Sequence, residues 1–429
     1  MKYYSYNVVV IFIMRYYLIG IKGAGMSALA KLLIDQGNDV IGSDVDEHYY
    51  TDDALENVKI YPFAKSNIKG DRIYIASSCY DMKHVEVSEA KKYEFYYYHQ
   101  FLNKISGIKI GISGTHGKTT TTKLVDYFTK TLKKAVIIGD GTGYSDKVNE
   151  YFLFESCEYQ NHINFCSYDY LVINNIDYDH VDYFNSLEEV ITTFQNAANK
   201  SKVLVINGDD ENCNNIKHNK KLTFGLNKNN DVFASILEEN SLGYKAEVNI
   251  FGLKRFIEIP FTGEHMLYNV LASIALTYAL NEQIDNFNLD GFELPKRRMQ
   301  EYRFKETVFI DDYAHHPTEI KHAIQAIKQK YEGRNLIVVF EPHTYSRTLV
   351  LHDEFKKAFC DIKLLYLVPT FTSKREEHDE EKEQNVKEIF KNSKELENIE
   401  ELFIDGAVVL LLGAGNFATQ VLEQIKKNH

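Results

Sequence analysis

The sequence predicts an α/β protein of three domains. A Rossmann-like N-terminal domain (1–106) is followed by a central domain with a P-loop ATPase-type parallel sheet (107–295) and a C-terminal Rossmann-like α/β domain (296–429). Three observations lead there. Short apolar runs alternate with stretches of helical periodicity, the pattern of parallel strands joined by crossover helices. Glycine-rich turns at Gly20–Gly25 and Gly114–Gly117 each join such a run to a helix-like stretch. A chain of 429 residues holds two to four domains at about 100–200 residues each.

The first element is Tyr16-Tyr17-Leu18-Ile19, a strand that turns at Gly20-Ile21-Lys22-Gly23-Ala24-Gly25 into a helix with Met26, Leu29, Ala30 and Leu33 on its apolar face. Gly37 ends that helix. Val40-Ile41 is the next strand, stopping at Gly42-Ser43-Asp44. Glycines at the first turn of a β-α-β unit let a backbone approach a pyrophosphate. An acid 19 residues after Gly25, Asp44, is placed to accept ribose hydroxyls. The glycines run G-x-x-G-x-G rather than G-x-G-x-x-G, so a tight strand–helix turn with no ligand is the competing reading.

The second domain opens with the strand Lys109-Ile110-Gly111-Ile112, the loop Ser113-Gly114-Thr115-His116-Gly117-Lys118-Thr119-Thr120, and a helix expected to carry Leu124, Val125, Phe128 and Leu132 on one face. This is a phosphate cradle. Loop N–H groups wrap the phosphates, Lys118 supplies a point charge, and the Thr119 hydroxyl can bind magnesium. Ile112 stands where the full Walker pattern has its first glycine. Glu155 and the run Asp177-Tyr178-Asp179-His180 follow strand-like segments, where a carboxylate and an imidazole can hold a metal or a water. On chemistry alone His180 is an unusual partner for oxygen-seeking magnesium.

The third domain begins after Pro295. The strand Thr307–Ile310 runs into Asp311-Asp312-Tyr313-Ala314-His315-His316-Pro317-Thr318-Glu319, and a helix follows with Ile320, Ala323, Ile324 and Ile327 at helical spacing. Strands at Leu336–Phe340, Leu364–Val368 and Val408–Leu412 complete a parallel sheet, whose ligands belong at the carboxyl ends of its strands. His315-His316 has no third and fourth ligand at a metal-like spacing, which argues against zinc there. The charged stretch Lys374–Lys382 reads as a solvated loop or helix start.

Composition narrows the function. There are 49 Lys plus Arg against 61 Asp plus Glu, a net charge of −12, with no basic tract. That argues against nonspecific binding of nucleic acid or an anionic membrane. The only early apolar run, Val8–Met14, is far shorter than the about 20 residues that span a bilayer. Arg15 follows it without a cleavage site, so a signal peptide is not expected; Met14 is an alternative start. Five cysteines at positions 79, 157, 166, 213 and 360 contain no C-x-x-C, which points to a reducing, cytoplasmic compartment.

Taken together, the motifs resemble the Mur ligase family from about Tyr16 onward. The anchors are Gly20 through Ser27, Gly42-Ser43-Asp44, Gly114 through Thr120, Asp179-His180, Arg297-Arg298, Asp311 through Glu319, Pro342-His343-Thr344-Tyr345-Ser346-Arg347-Thr348, and Leu412-Gly413-Ala414-Gly415-Asn416. In this order they are specific where any one alone is not. The resemblance implies an enzyme that uses ATP and Mg2+ to join L-alanine to the carboxylate of UDP-N-acetylmuramate through an acyl phosphate, in peptidoglycan precursor synthesis.

The resemblance also implies roles. Lys118, Glu155, His180 and Arg298 would be catalytic. Gly114, Thr115, His116, Gly117, Lys118, Thr119, Thr120, Asn269, Arg298 and Asp312 would bind ATP, and Thr119, Glu155 and His180 the metal. Gly23, Gly25 and Asp44 would lie at the UDP-sugar, with His343 and Arg347 at the amino acid's carboxylate. Three departures stand out: Met266 replaces an asparagine, Tyr96–Phe101 replaces an arginine-rich segment, and Thr344 replaces an arginine found in several members. Competing readings are a ligase that attaches a preformed tripeptide to the same sugar nucleotide, a nicotinamide-dependent oxidoreductase, and a nonenzymatic nucleotide switch. The last two leave Gly114–Thr120, or Glu155, His180 and Arg298, without a purpose.

Overall fold

The computed structural model describes residues 13–47, 49, 51–282, 288–372 and 376–427. Most of the Val8–Met14 run, and Lys374 and Arg375 of the charged stretch, lie outside them. Two compact units form among the described residues. One is built from the chain up to Ile108 together with Leu132–Phe154, the other from Lys109–Thr131 together with the chain from Glu155 onward. The α/β architecture expected from the alternating pattern is the one found.

The first unit contains β1 (Arg15–Ile19), β2 (Asp39–Ser43), β3 (Lys59–Tyr61), β4 (Ile73–Ala76) and β5 (Phe95–Tyr97), all parallel in the order β3-β2-β1-β4-β5. Helix Ala24–Asp35 follows β1 and buries Met26, Leu29, Ala30 and Leu33, as its spacing predicts. Gly37 takes φ +86°, a conformation that glycine adopts without strain, just past the helix end. Tyr17, Ile19, Tyr74 and Ala76 pack with Ile68, Val87 and Ala90 into this unit's core. Beside them sits a fully buried carboxylate, Glu86. It accepts hydrogen bonds from the Tyr17 hydroxyl at 3.1 Å, the Ala64 N–H at 2.9 Å and the Asn67 amide at 2.7 Å, and from the Ser43 hydroxyl.

The central sheet of the second unit carries the loop of interest. β6 (Ile108–Ser113) lies parallel to a later strand at Tyr168–Ile173. The chain between them in sequence, which belongs to the first unit from Leu132 to Phe154, makes β7 (Lys134–Ile137), β8 (Gly143–Ser145) and β9 (Tyr151–Glu155), in the order β9-β7-β8. The remaining strands are β10 (Tyr168–Ile173), β11 (Ser201–Asn207), β12 (Lys221–Gly225), β13 (Val232–Asn240), β14 (Gly243–Ile250) and β15 (Leu253–Ile259). The run β6-β10-β11-β12-β13 is parallel, and β13-β14-β15 is an antiparallel meander.

Helix Lys118–Phe128 is shorter than its apolar spacing predicts, and Leu132 lies beyond it. The Thr129 hydroxyl turns back onto the Val125 carbonyl at 2.6 Å, and Thr129 leaves helical geometry. A side chain that bonds its own backbone competes with helix continuation.

The C-terminal sheet has β16 (Gln300–Phe304), β17 (Thr307–Asp312), β18 (Leu336–Phe340), β19 (Leu364–Leu367), β20 (Lys394–Glu395) and β21 (Val408–Leu412), ordered β16-β17-β21-β18-β19-β20. Only β16 is antiparallel to its neighbour. Strand alternation is visible in the packing. Val408, Leu410 and Leu412 join one core with Ile320, Ile324 and Ile327, while Val409 and Leu411 join another with Val421 and Ile425. Both faces of this parallel sheet are covered, which is why its strands read as continuous apolar runs. Asp379, from the charged stretch, accepts the Lys382 N–H and caps the helix Glu380–Ile389.

Glu86→Ala strips four donors of their acceptor at once. Its cost is expected to be about 3 kcal/mol, measured as a lowered first transition in urea unfolding of the whole chain.

Candidate active site

The loop between β6 and helix Lys118–Phe128 depends on two glycines with positive φ. Gly114 has φ +129°, and a Cβ there would sit 3.0 Å from the Asn174 backbone nitrogen. Gly117 has φ +79°, and a Cβ would meet Asn269 Oδ1 at 2.4 Å. Side chains are excluded at both. The loop is tied to the end of β10: Thr115 N–H donates to the Asn175 carbonyl at 3.1 Å and His116 N–H to Asn175 Oδ1 at 2.8 Å.

Lys118 Nζ donates to the Gly114 and Thr115 carbonyls at 2.5 and 3.0 Å and faces Glu158 Oε2 at 3.2 Å. Glu158 is 1% exposed and lies 3.5 Å from His180 Nε2. Burial alone would raise the Glu158 pKa, but Lys118 and His180 hold it below the usual carboxylate range. Burial opposes charge on His180; Asp179 and Glu158 outweigh it and lift the imidazole to about 10. The Thr119 hydroxyl donates to Glu155 Oε2 at 3.2 Å. His180 Nδ1 is buried without a hydrogen-bond partner. The Thr119 hydroxyl and the Glu155 carboxylate, side by side, are oxygen donors of the kind a divalent cation takes.

Beside the loop lies a cavity of about 490 Å³. Gly117, Thr120, Asn269, Arg298 and Asp312 line it, together with His116, Asp209, Tyr268 and Glu319. Asp312 accepts the Met299 and Ala314 N–H groups, each at 2.9 Å. Burial pushes its pKa up to about 6, against the nearby Arg298. Arg298 faces Glu319 at 3.6 Å. His265 and His322 stack in the wall with centroids 5.4 Å apart and planes 6° apart. Burial and the nearby His322 lower His265 to about 3, and burial with His116 and Lys321 close by lowers His322 to about 4.

The pair expected to gather a carboxylate is already engaged. Arg347 is 2% exposed. Its Nε donates to Asp179 Oδ1 at 2.8 Å and its Nη1 meets His343 Nδ1 at 2.7 Å. The neighbouring Thr344 has φ +65°. Arg347, braced by His343, therefore ties the C-terminal sheet to the strand-end segment carrying His180.

Gly23, Gly25 and Asp44 lie in the first unit. Only Gly23 keeps an open Cβ direction, with the Gly20 carbonyl oxygen at 3.6 Å; a Cβ on Gly25 would strike the Tyr98 ring at 2.8 Å. Asp44 accepts the Lys22 N–H at 2.7 Å and the Val45 N–H at 2.8 Å, closing the glycine loop on itself.

Four acids escape a reading of the sequence as site residues: Glu158, Asp177, Asp179 and Glu319. Asp177, Asp179 and Glu319 sit inside motifs already singled out and Glu158 lies three residues past Glu155, but an acid's partner is set by tertiary folding. The one available signal was a buried-looking acid flanked by chemistry-bearing neighbours.

Three family models match the chain. The model for the Mur ligase family, catalytic domain, matches residues 15–108; that for the Mur ligase middle domain matches 112–277; and that for the Mur ligase, glutamate ligase domain, matches 297–415. The chain belongs to the Mur ligase family. It is 37% identical over 423 residues to the UDP-N-acetylmuramate–L-alanine ligase of Streptococcus gordonii, covering 94% of this chain and 95% of that one. The same holds over 424 residues for the enzyme of that name from Streptococcus sanguinis. Among solved structures, the UDP-N-acetylmuramate-alanine ligase MurC of Thermotoga maritima shares the fold, with TM-score 0.77 and 24% identity over 97% of this chain and 100% of that one. A murein peptide ligase of Psychrobacter arcticus does so at TM-score 0.69 and 18% identity, over 96% and 98%.

Two outcomes follow from the site's electrostatics. Arg347→Ala leaves Asp179 charged and buried without its partner, and should destabilise the chain by about 3–5 kcal/mol; thermal unfolding at pH 7 measures it. His322 gives a pH signature. Its folded pKa, about 4, lies below the ordinary value of about 6.5. The unfolded state therefore takes up a proton first, and stability is lost as pH falls from about 6.5 towards 4. His322→Phe removes that loss, so the variant should gain about 1–2 kcal/mol on wild type between pH 7 and pH 5, read from unfolding midpoints at each pH.

Proposed function

We propose that this chain is an ATP-dependent ligase that joins L-alanine to the carboxylate of UDP-N-acetylmuramate, a step of peptidoglycan precursor synthesis in the cytoplasm. The observation that carries the reading is 37% identity along 94% of the chain to relatives of that activity. The phosphate loop with its buried Lys118–Glu158–His180 chain supports it.

The chemistry follows from what a carboxylate lacks. Near neutral pH it is a poor electrophile. Its oxygen attacks the γ-phosphorus of ATP, the bond to ADP breaks, and an acyl phosphate results. The amine of L-alanine then attacks the carbonyl carbon, loses a proton, and expels inorganic phosphate. Alignment and charge neutralisation are what the protein contributes.

In this reading Lys118, Arg298 and the N–H groups of Gly114–Thr120 meet the phosphates. Asn269 and Asp312 meet the base and ribose in the cavity they line. Mg2+, held by Thr119, Glu155 and His180, would neutralise charge on the phosphates. His343 and Arg347 sit where the incoming amino acid's carboxylate would bind, and Gly23, Gly25 and Asp44 belong to the UDP-sugar site.

Purified protein with ATP, Mg2+ and UDP-N-acetylmuramate should release phosphate on addition of L-alanine. Release with a tripeptide and not with L-alanine would replace this reading by the peptide-attaching one. Lys118→Ala should abolish release, a loss of about 3 kcal/mol or more in transition-state stabilisation, and should also lower the unfolding midpoint because Glu158 loses its partner. Adding Glu158→Gln should restore the midpoint and not the turnover.

A further inference from the structure

We propose a second cation site, suited to zinc or a similar d-block divalent ion rather than to magnesium, formed by His116, Asp177 and His316. One ligand atom from each of the three lies within 4.8 Å of the others. His116 Nε2 stands 3.3 Å from Asp177 Oδ2, and His316 Nδ1 stands 3.8 Å from the same oxygen. A tetrahedral ion with bonds of about 2.0–2.2 Å needs ligand–ligand edges of about 3.3–3.6 Å, so small side-chain rotations close the set. Two imidazoles and one carboxylate are zinc ligands; magnesium prefers oxygen alone.

The surroundings carry the inference further than the three distances. Metal-bound histidines usually donate their other ring nitrogen to a carboxylate or carbonyl. Here His116 turns Nδ1 to Glu319 Oε1 at 3.5 Å, and His316 turns Nε2 to the Tyr178 carbonyl at 3.3 Å. Asp177 is oriented too: Oδ2 accepts the Thr318 hydroxyl at 2.6 Å and Oδ1 accepts the Tyr178 N–H at 2.8 Å. The ion must displace the proton between His116 and Asp177, and the Thr318 N–H that caps His316 Nδ1 at 3.3 Å. His116 and Asp177 both line the 490 Å³ cavity, which leaves a fourth coordination position open to water or to an oxygen of a bound molecule.

The ligands come from the phosphate loop, the segment after β10 and the turn after β17. A bound ion staples these three together, so zinc should inhibit magnesium-supported turnover at the concentration that fills the site. The assignment does not depend on which substrates the enzyme joins.

Cobalt(II) is the probe, titrated into the full chain in excess Mg2+ and followed by visible absorption. One equivalent should give the d–d bands of a low-coordinate nitrogen/oxygen site, and zinc should displace it. Asp177→Asn and His316→Ala should each weaken binding at least 100-fold, with folding checked by circular dichroism. Thr318→Val, which leaves all three ligands in place, should weaken it about 10–100-fold. The proposal is overturned if cobalt does not bind stoichiometrically or if excess Mg2+ competes equally. It also fails if a thiolate-to-cobalt band places the ion on cysteine, or if both ligand variants bind as wild type does.

Discussion

The contact between Lys118 and Glu158 organises the second unit. Lys118, the first residue of its helix, has no covalent reason to point back into the loop, and in water it would not stay there. Glu158, 1% exposed, holds it by charge, and the Gly114 and Thr115 carbonyls take its remaining protons. The same carboxylate faces His180, so one buried acid sets the positions of two groups brought by different strands. Burying it is costly alone; two cations and the dipoles around them offset the desolvation. The loop is thereby held in one shape by its own contacts.

Opposed charges also join the central sheet to the C-terminal sheet within that unit. Asp179 meets Arg347, and His116 meets Glu319, which Arg298 flanks from within the C-terminal domain. These pairs flank the cavity rather than fill it. Because several are nearly dry, removing one member leaves its partner charged in a low-dielectric setting, and the cost far exceeds that of a surface ion pair. The machinery of the site and the cement between the two sheets are made of the same residues.

The first unit treats its glycines differently from the second. In the phosphate loop the bare Cβ positions of Gly114 and Gly117 press on the backbone of Asn174 and the amide of Asn269. In the N-terminal loop the Gly20 and Gly25 positions are covered by the rings of Tyr80 and Tyr98. Tyr98 belongs to the aromatic segment that replaces an arginine-rich one. Part of the glycine pattern read as pyrophosphate space is space for tyrosine, and Gly23 alone of the pair Gly23 and Gly25 stays open.

The sequence by itself determined the three parallel-rich sheets, because buried parallel strands must be apolar on both faces and helices must repeat near every fourth residue. It also determined the strand–loop–helix at Gly114–Thr120, since local backbone geometry demands glycine there. The roles proposed for Lys118 and Thr119 were legible in that loop itself, and the one proposed for Asn269 only through motifs in order along the chain. Tertiary structure alone decided which acids serve them. Glu158 is 40 residues from Lys118, Asp179 is 168 from Arg347, and His316 finds Asp177 and His116 only once the C-terminal sheet has folded. Local geometry is written in spacing of a few residues. Charge pairing acts through space, and spacing along a chain carries no information about it.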